Sequence, residues 1–126
     1  MHKICFPIGI PRVPYQDPYD NTIQWIDIYT RLYKERIIFL FQLIDDDFIN
    51  QLIAMFLYLD SEEKEEYIYL YINSIGGSII SGITLYDTMY YVNSDIVTLC
   101  IGIASSISSL ILASGKENKR LVHPNT

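Results

Sequence analysis

Three strand-length apolar runs, each followed by a segment with helical spacing, constrain the fold of this chain more than any other feature. The runs are rich in β-branched and aromatic residues, as buried strands are. They cover residues 37–43, 67–72 and 96–101. The helical patterns follow at residues 48–59, 79–90 and 106–113. Strands that alternate with helices predict a mainly parallel sheet in an α/β domain.

The start of the chain has a different composition from the rest. Four of the five prolines fall there, at Pro7, Pro11, Pro14 and Pro18. Proline lacks a backbone donor and restricts the residue before it, so this composition favours an extended arm that contacts another surface. We therefore divide the chain into an arm over residues 1–20 and a partial α/β domain over residues 21–126. Apolar spacing early in that domain predicts a short amphipathic helix over residues 25–36.

Charge and cysteine content argue against several classes of partner. The net charge is −6, and the Lys and Arg residues are scattered instead of forming a basic stripe, so nucleic acid is not expected to bind. Cys5 and Cys100 lie far apart, which gives little support to a disulfide and favours a reducing compartment. The run of Asp45, Asp46 and Asp47 is better explained by helix capping than by a metal site, because metal ligands must converge from several elements.

Residues 96–115 carry no charge and are long enough to be considered as a membrane span. Six Ser and Thr side chains would then enter the hydrocarbon, which is unfavourable. β-Branched residues crowd the first half of the segment and smaller residues the second, so we interpret it as strand, turn and helix. No membrane is expected as a partner, and a small protein anchored by this segment is the alternative. The first residues show no signal-peptide or transit-peptide pattern.

Two turns after predicted strands carry residues suited to chemistry. Gly76 and Gly77 follow the second run, and Ser106 follows the third. Paired glycines allow a positive φ and a close approach, as an oxyanion site requires, and a serine that starts a helix lies beside backbone N–H groups. Because parallel strands end at one edge of a sheet, the two turns could meet there. The alternative is that Ser106 and the neighbouring serines only cap the helix and let it pack closely.

Seven stretches of the chain carry a resemblance to one known family. They are residues 7–14 (PIGIPRVP), 25–36 (WIDIYTRLYKER), 50–53 (NQLI), 71–77 (YINSIGG), 83–89 (ITLYDTM), 100–106 (CIGIASS) and 119–121 (KRL). In this order they resemble the Clp family of serine endopeptidases, most closely its plastid-encoded proteolytic subunits. The resemblance implies a crotonase-like α/β fold that is incomplete here, with the C-terminal third missing.

The same resemblance implies an activity and a set of partners. Subunits of this family form seven-membered rings that stack around a closed chamber and cleave unfolded proteins. An AAA+ unfoldase feeds them and uses the ATP, so the chain itself is expected to bind no cofactor and no metal. The excess of Ile, Tyr and Asn suits an AT-rich organelle genome. We therefore expect the plastid stroma as the location, with the bacterial cytoplasm as the alternative.

Residue by residue, the resemblance implies that Ser106 is the nucleophile and that the backbone N–H groups of Gly77 and Ile107 form the oxyanion hole. The chain departs from the family pattern at three positions. They are Ile75 in place of proline, Ser105 in place of the usual alanine, and Ser108 in place of glycine. Ile75 removes a φ restraint from the glycine turn, and Ser108 adds a side chain beside the site.

The resemblance places the catalytic histidine just beyond Thr126 and the aspartate further on, so neither is expected in this sequence. His123 aligns with an apolar position in a segment expected to enter the next strand, and His2 lies in the arm. A serine without its base stays protonated, so we expect the chain alone to be nearly inactive. A non-catalytic structural subunit of a mixed Clp ring is the alternative function.

Overall fold

The computed structural model describes residues 9–126, which form two compact units divided between Glu35 and Arg36. The first part of the predicted arm, with His2 and Cys5, lies outside the described residues. Each unit has its own sheet.

The first unit is a β-hairpin followed by a short helix. Its elements are β1 (Arg12–Gln16), β2 (Ile23–Asp27) and α1 (Ile28–Lys34). The two strands are antiparallel, and Arg12 faces Asp27. The Asp27 carboxylate also caps α1, since it accepts the backbone N–H of Thr30 at 2.7 Å. The Lys34 ammonium of α1 lies 4.9 Å from the centroid of the Tyr15 ring of β1. This cation–π contact packs α1 against β1.

The helix predicted over residues 25–36 is therefore wrong at its start and correct only from Ile28. Trp25 lies in β2 opposite Pro14, because cross-strand pairing outweighs the helical spacing of the apolar side chains. β1 falls within the predicted arm, and Pro14 is tolerated there because a two-stranded sheet consists of edge strands. The boundary between arm and domain after residue 20 stays a prediction.

The second unit is a four-stranded parallel sheet with helices in its connections. Its strands, in order across the sheet, are β3 (Ile37–Leu40), β4 (Ile68–Ser74), β5 (Ile96–Ala104) and β6 (Arg120–Val122). The helices that follow the first three strands are α2 (Asp46–Glu62), α3 (Ile79–Tyr91) and α4 (Ile107–Ala113). All three strand pairings are parallel, which confirms the predicted α/β class.

The segment over residues 96–115 forms strand, turn and helix, as the sequence predicted. Within residues 9–126, no helix is long and apolar enough to cross a lipid bilayer.

Apolar side chains of β3, β4 and β5 pack with those of all three helices into one core. Its fully buried members include Ile38, Leu40, Leu52, Phe56, Leu70, Ile72, Leu85 and Ile111. Helix α2, which contributes to this core, has the N-cap that the sequence predicted. The Asp45 carboxylate accepts the backbone N–H of Phe48 at 2.8 Å. The helix starts at Asp46, two residues earlier than predicted.

A bulge in β5 sets the register between β5 and β4 near their carboxyl ends. Ile72 pairs with Cys100 and Ser74 pairs with Ala104, so residues 101–103 of β5 lie opposite Asn73 alone. Gly102 adopts a φ of +91° in the bulge, and the backbone N–H of Ile103 donates to the Asn73 Oδ1 at 3.3 Å. The bulge therefore holds the end of β5 back by two residues along β4, so that Ala104 lies beside Ser74, just before the glycine turn.

A polar cluster fastens the opposite, amino-terminal end of the sheet. Asp60, which is 7% exposed, accepts hydrogen bonds from the backbone N–H of Asn93 at 2.9 Å, the backbone N–H of Ser94 at 2.8 Å and the Ser94 hydroxyl at 3.0 Å. Arg36 donates to the Ser94 hydroxyl at 3.0 Å and to the Leu59 carbonyl at 2.7 Å. These bonds tie the end of α2 to the connection between α3 and β5.

The Asp60 carboxylate makes the stability of the chain pH-dependent. Burial alone would raise its pKa, but the hydrogen bonds from Ser94 and Asn93 outweigh burial and hold the pKa below its ordinary value. The stabilisation is therefore fully present above the pKa of the unfolded chain, about 3.9, and is lost as the pH falls through the lower folded value.

We predict that Asp60→Asn lowers the free energy of unfolding by about 1–3 kcal/mol at neutral pH, because an amide cannot accept all of these bonds. Urea unfolding between about pH 3 and pH 7 measures this, and the difference from the parent chain should shrink as the pH falls. Asp87→Asn, at an exposed position of α3, is the matched control. A difference that stays constant across this pH range would contradict the assignment.

Candidate active site

Ser106 occupies a strained turn between β5 and α4. Its φ is +56° and its ψ is −131°, a combination that residues with a side chain rarely adopt. Two bonds to its carbonyl hold the turn, from the backbone N–H of Ser109 at 3.1 Å and from the Ser109 hydroxyl at 2.6 Å. A serine displayed on a sharp strand-to-helix turn has the geometry of a nucleophile elbow.

The Ser106 side chain does not cap α4. It makes no capping hydrogen bond, and the residue is exposed. The first turn of α4 is closed by backbone groups, as when the N–H of Ser108 donates to the Ser105 carbonyl at 3.1 Å. The capping alternative for Ser106 is therefore wrong, and its hydroxyl is open to solvent.

The glycine turn after β4 lies against Ser106. A Cβ atom placed on Gly76 would stand 2.8 Å from the Ser106 Cβ, 3.3 Å from the Ser106 Oγ and 3.0 Å from the Ser105 carbonyl oxygen. Gly76 has a φ of +102°, so both its conformation and its surroundings require glycine. The two turns thus meet at one edge of the sheet, as the sequence predicted for parallel strands.

A backbone bridge to the loop after β3 fixes the direction of Gly77. The N–H of Ile44 donates to the Gly76 carbonyl at 2.9 Å, and the N–H of Ser78 donates to the Ile44 carbonyl at 2.9 Å. In a parallel bridge the middle residue turns its own polar groups to the other side. The N–H of Gly77 therefore faces away from Ile44, and among residues 9–126 no partner is found for it.

Ile107 begins α4, so its backbone N–H has no acceptor inside the helix. Its side chain is buried against α3, where a Cβ atom on Gly82 would overlap the Ile107 Cγ1. Close packing on Gly82 thus sets the position of this N–H beside Ser106. Within the described part of the chain, no hydrogen-bond partner is found for the backbone N–H groups of Gly77 and Ile107, and their oxyanion role stays a prediction.

The one histidine among residues 9–126, His123, is not hydrogen-bonded to Ser106. His2 lies outside the described residues, and His123 follows β6, where its backbone N–H donates to the Cys100 carbonyl at 3.2 Å. No hydrogen bond between the His123 ring and Ser106 is found in residues 9–126. Asp95, near the start of β5, pairs with Lys116 at 3.4 Å, away from the turn that holds Ser106.

The cysteine and carboxylate side chains of residues 9–126 contribute little to the candidate active site. Cys100 is buried and free, and burial raises the pKa of its thiol above the ordinary value. Asp46, one of the three consecutive aspartates, accepts the Ser81 hydroxyl of α3. Over the described range, His, Cys, Asp and Glu side chains form no group that could hold a metal ion.

The sequence marked Ser105 and Ser108 only as departures from the family pattern, and it did not predict the contacts of their hydroxyls. Ser105 donates its hydroxyl to the Ile75 carbonyl at 2.9 Å, which joins the segment before Ser106 to the glycine turn. Ser108 is fully buried, and no partner for its hydroxyl is present in residues 9–126. Their departure from the family pattern was the only signal in the sequence.

Comparison with known proteins shows the family of the chain. A family model described as Clp protease matches residues 20–126. The chain belongs to the Clp protease family. The resemblance noted in the sequence is thereby confirmed, and the parallel sheet agrees with the crotonase-like α/β fold that it implied.

Similar proteins carry the same family name. The chain is 69% identical to an ATP-dependent Clp protease proteolytic subunit of Bigelowiella natans and 48% identical to one of Chlorella vulgaris. It is 52% identical to the ATP-dependent Clp protease proteolytic subunit 2 of Prochlorococcus marinus strain NATL2A. The alignments cover 95% of this chain and 62%, 60% and 60% of those proteins, so the chain spans about three fifths of the length of the curated relatives it matches.

The unpaired hydroxyl of Ser108 leads to a prediction about stability. Ser108→Ala should raise the free energy of unfolding by about 1 kcal/mol, because a buried hydroxyl without a partner costs desolvation energy. Urea unfolding of the chain measures the change. Ser114→Ala is the matched control at the other end of α4, where the hydroxyl donates to the Ile111 carbonyl at 2.6 Å. That control should lose stability, and a loss of similar size in both variants would contradict the prediction.

Proposed function

We propose that this chain supplies the nucleophile and the oxyanion-binding groups of a Clp serine peptidase site. The observation that carries the proposal is the exposed, strained Ser106 packed against a glycine turn whose Gly77 N–H has no partner among the described residues. Strain of this kind persists only where surrounding contacts hold it, and it is concentrated at functional sites.

In the proposed reaction, the Ser106 Oγ attacks the carbonyl carbon of a peptide bond and passes its proton to a base. The carbonyl oxygen becomes an oxyanion between the N–H groups of Gly77 and Ile107, which lowers the barrier because the donors are already in place. The tetrahedral intermediate then collapses, so that the amine leaves with a proton and an acyl ester remains on Ser106. Water then hydrolyses this ester.

Residues 9–126 provide no group in contact with Ser106 that could act as this base. We propose that a histidine from outside this range, oriented by an aspartate, takes the proton. Loss of one triad member lowers turnover by about four to six orders of magnitude. The described residues alone should therefore show little peptidase activity.

The partners in this proposal are other Clp proteolytic subunits in seven-membered rings and an AAA+ unfoldase that delivers unfolded proteins. The names of the relatives, which include "ATP-dependent" and "proteolytic subunit", support it. ATP would be consumed by the unfoldase, so this chain would need no cofactor. Exposed apolar side chains on α2 and α3 suit contacts with neighbouring subunits. They are Leu57, Tyr58, Ile79, Ile80, Ile83, Tyr90 and Tyr91.

We place the protein in the plastid stroma, in keeping with relatives from Chlorella vulgaris and Citrus sinensis. The relative from Prochlorococcus marinus supports the bacterial cytoplasm as the alternative location. The second candidate function is a non-catalytic structural subunit of a mixed ring. It is favoured by the same exposed apolar side chains and by the lack of a histidine joined to Ser106 among residues 9–126.

Labelling with a fluorophosphonate probe tests the catalytic proposal. In the assembled complex that contains this chain, the probe should attach to Ser106, as peptide mass spectrometry would show. Ser106→Ala should abolish labelling, and Gly76→Ala should reduce it by about 100-fold, because the added methyl group displaces Ser106. Ser61→Ala on α2 is the control that should react like the parent. A complex in which the other Clp subunits react but Ser106 never does would favour the structural subunit.

A substitution on α3 tests the proposed subunit contacts. Tyr91→Asp should lower the share of this chain that joins complete Clp subunits on co-expression, because a charge would be buried in an apolar contact. Native mass spectrometry of the purified assembly measures the share. Lys64→Asp, at an exposed position between α2 and β4, is the control and should assemble normally. Equal assembly of both variants would rule out this face of α3 as a subunit contact.

A further inference from the structure

The peptide group between Ile75 and Gly76 is held at both ends by serine hydroxyls. At one end the Ile75 carbonyl accepts the hydroxyl of Ser105 at 2.9 Å. At the other end the Gly76 N–H donates to the hydroxyl of Ser74 at 3.1 Å, and that hydroxyl donates onward to the Gln42 carbonyl at 2.8 Å. A flip of this peptide plane would break both bonds at once.

Little else restrains the first half of the glycine turn. The Ile75 side chain is 59% exposed, so packing does not anchor it. Glycine at position 76 has wide conformational freedom, and the peptide plane before it can rotate at low steric cost. The bridge to Ile44 begins only at the Gly76 carbonyl and therefore holds the far half of the turn.

Ser105 is well placed to restrain the turn because its own backbone is fixed. Its N–H donates to the Ser74 carbonyl at 3.2 Å, which continues the pairing of β4 with β5 beyond the strand ends. Its carbonyl accepts the Ser108 N–H at 3.1 Å and so belongs to the first turn of α4. The hydroxyl thus links the backbone that displays Ser106 to the backbone that presents Gly77.

We propose that Ser105 is a positioning residue, whose hydroxyl clamps the Ile75–Gly76 peptide plane. It thereby holds the glycine turn against Ser106, in the position from which the Gly77 N–H, whose direction the Ile44 bridge sets, reaches the oxyanion formed on Ser106. This inference rests on the proposed serine peptidase function. Ser105 touches neither substrate nor the reacting atoms in this scheme, and it acts through the glycine turn.

Kinetics of fluorophosphonate labelling in the assembled complex test the positioning role. Oxyanion stabilisation acts in the transition state, so Ser105→Ala should lower the maximal labelling rate of Ser106 by about 10- to 100-fold. The probe concentration that gives half-maximal rate should change by less than about twofold, because ground-state binding does not use the oxyanion hole. Ser105→Thr, which keeps a hydroxyl, should restore most of the rate, and Ser61→Ala should leave it unchanged.

Amide hydrogen exchange in the 126-residue chain tests the clamp without any chemistry. Ser105→Ala should speed exchange of the Gly76 N–H, while Ser105→Thr and Ser61→Ala should not. If the parent chain is never labelled, the proposed function fails while the exchange result still decides the clamp. Unchanged exchange, an unchanged labelling rate in Ser105→Ala, or equal losses in the alanine and threonine variants would each overturn the proposal.

Discussion

The parallel pairing of β4 with β5 is the constraint on which the candidate active site depends. Because the bulge in β5 sets three residues against Asn73, Ala104 pairs with Ser74. A regular ladder would instead place Ala104 opposite Gly76 and Ser106 opposite Ser78, past both glycines of the turn. The bulge therefore aligns the serine with the N–H groups around it, which is a common use of bulges beside functional sites.

Glycines surround the serine because the chain segments approach one another too closely for side chains. The lack of a side chain at Gly76 leaves room for Ser106, and the lack of one at Gly82 on α3 leaves room for the side chain of Ile107. At Gly77 a Cβ atom would overlap the backbone of Ile44. Each contact fixes one backbone segment near the serine, so the site is organised by main-chain packing more than by side-chain charge. Charge is concentrated instead at the far end of the sheet, where Asp60 fastens the loops.

The sequence was sufficient to predict the α/β class and the meeting of Ser106 with the glycine turn, since both follow from apolar strands of fixed period and from the common edge of a parallel sheet. It was insufficient for the hairpin, because Trp25 follows helical spacing and only its partner strand shows otherwise. The hydrogen bond from Ser105 to Ile75 joins residues 30 positions apart and depends on the bulge, so local patterns do not contain it. The burial of Ser108 likewise depends on how α4 packs.

The positive φ of Ser106 also bears on whether the chain has a chemical task. Glycine would adopt this conformation without strain, and relief of such strain is worth about 1–3 kcal/mol, a large fraction of the stability of a small domain. A subunit used only as a wall or a docking surface would gain folding stability by exchanging this serine for glycine. A serine at such a position costs folding stability, and this cost is one that the nucleophile proposed for Ser106 would impose on its scaffold.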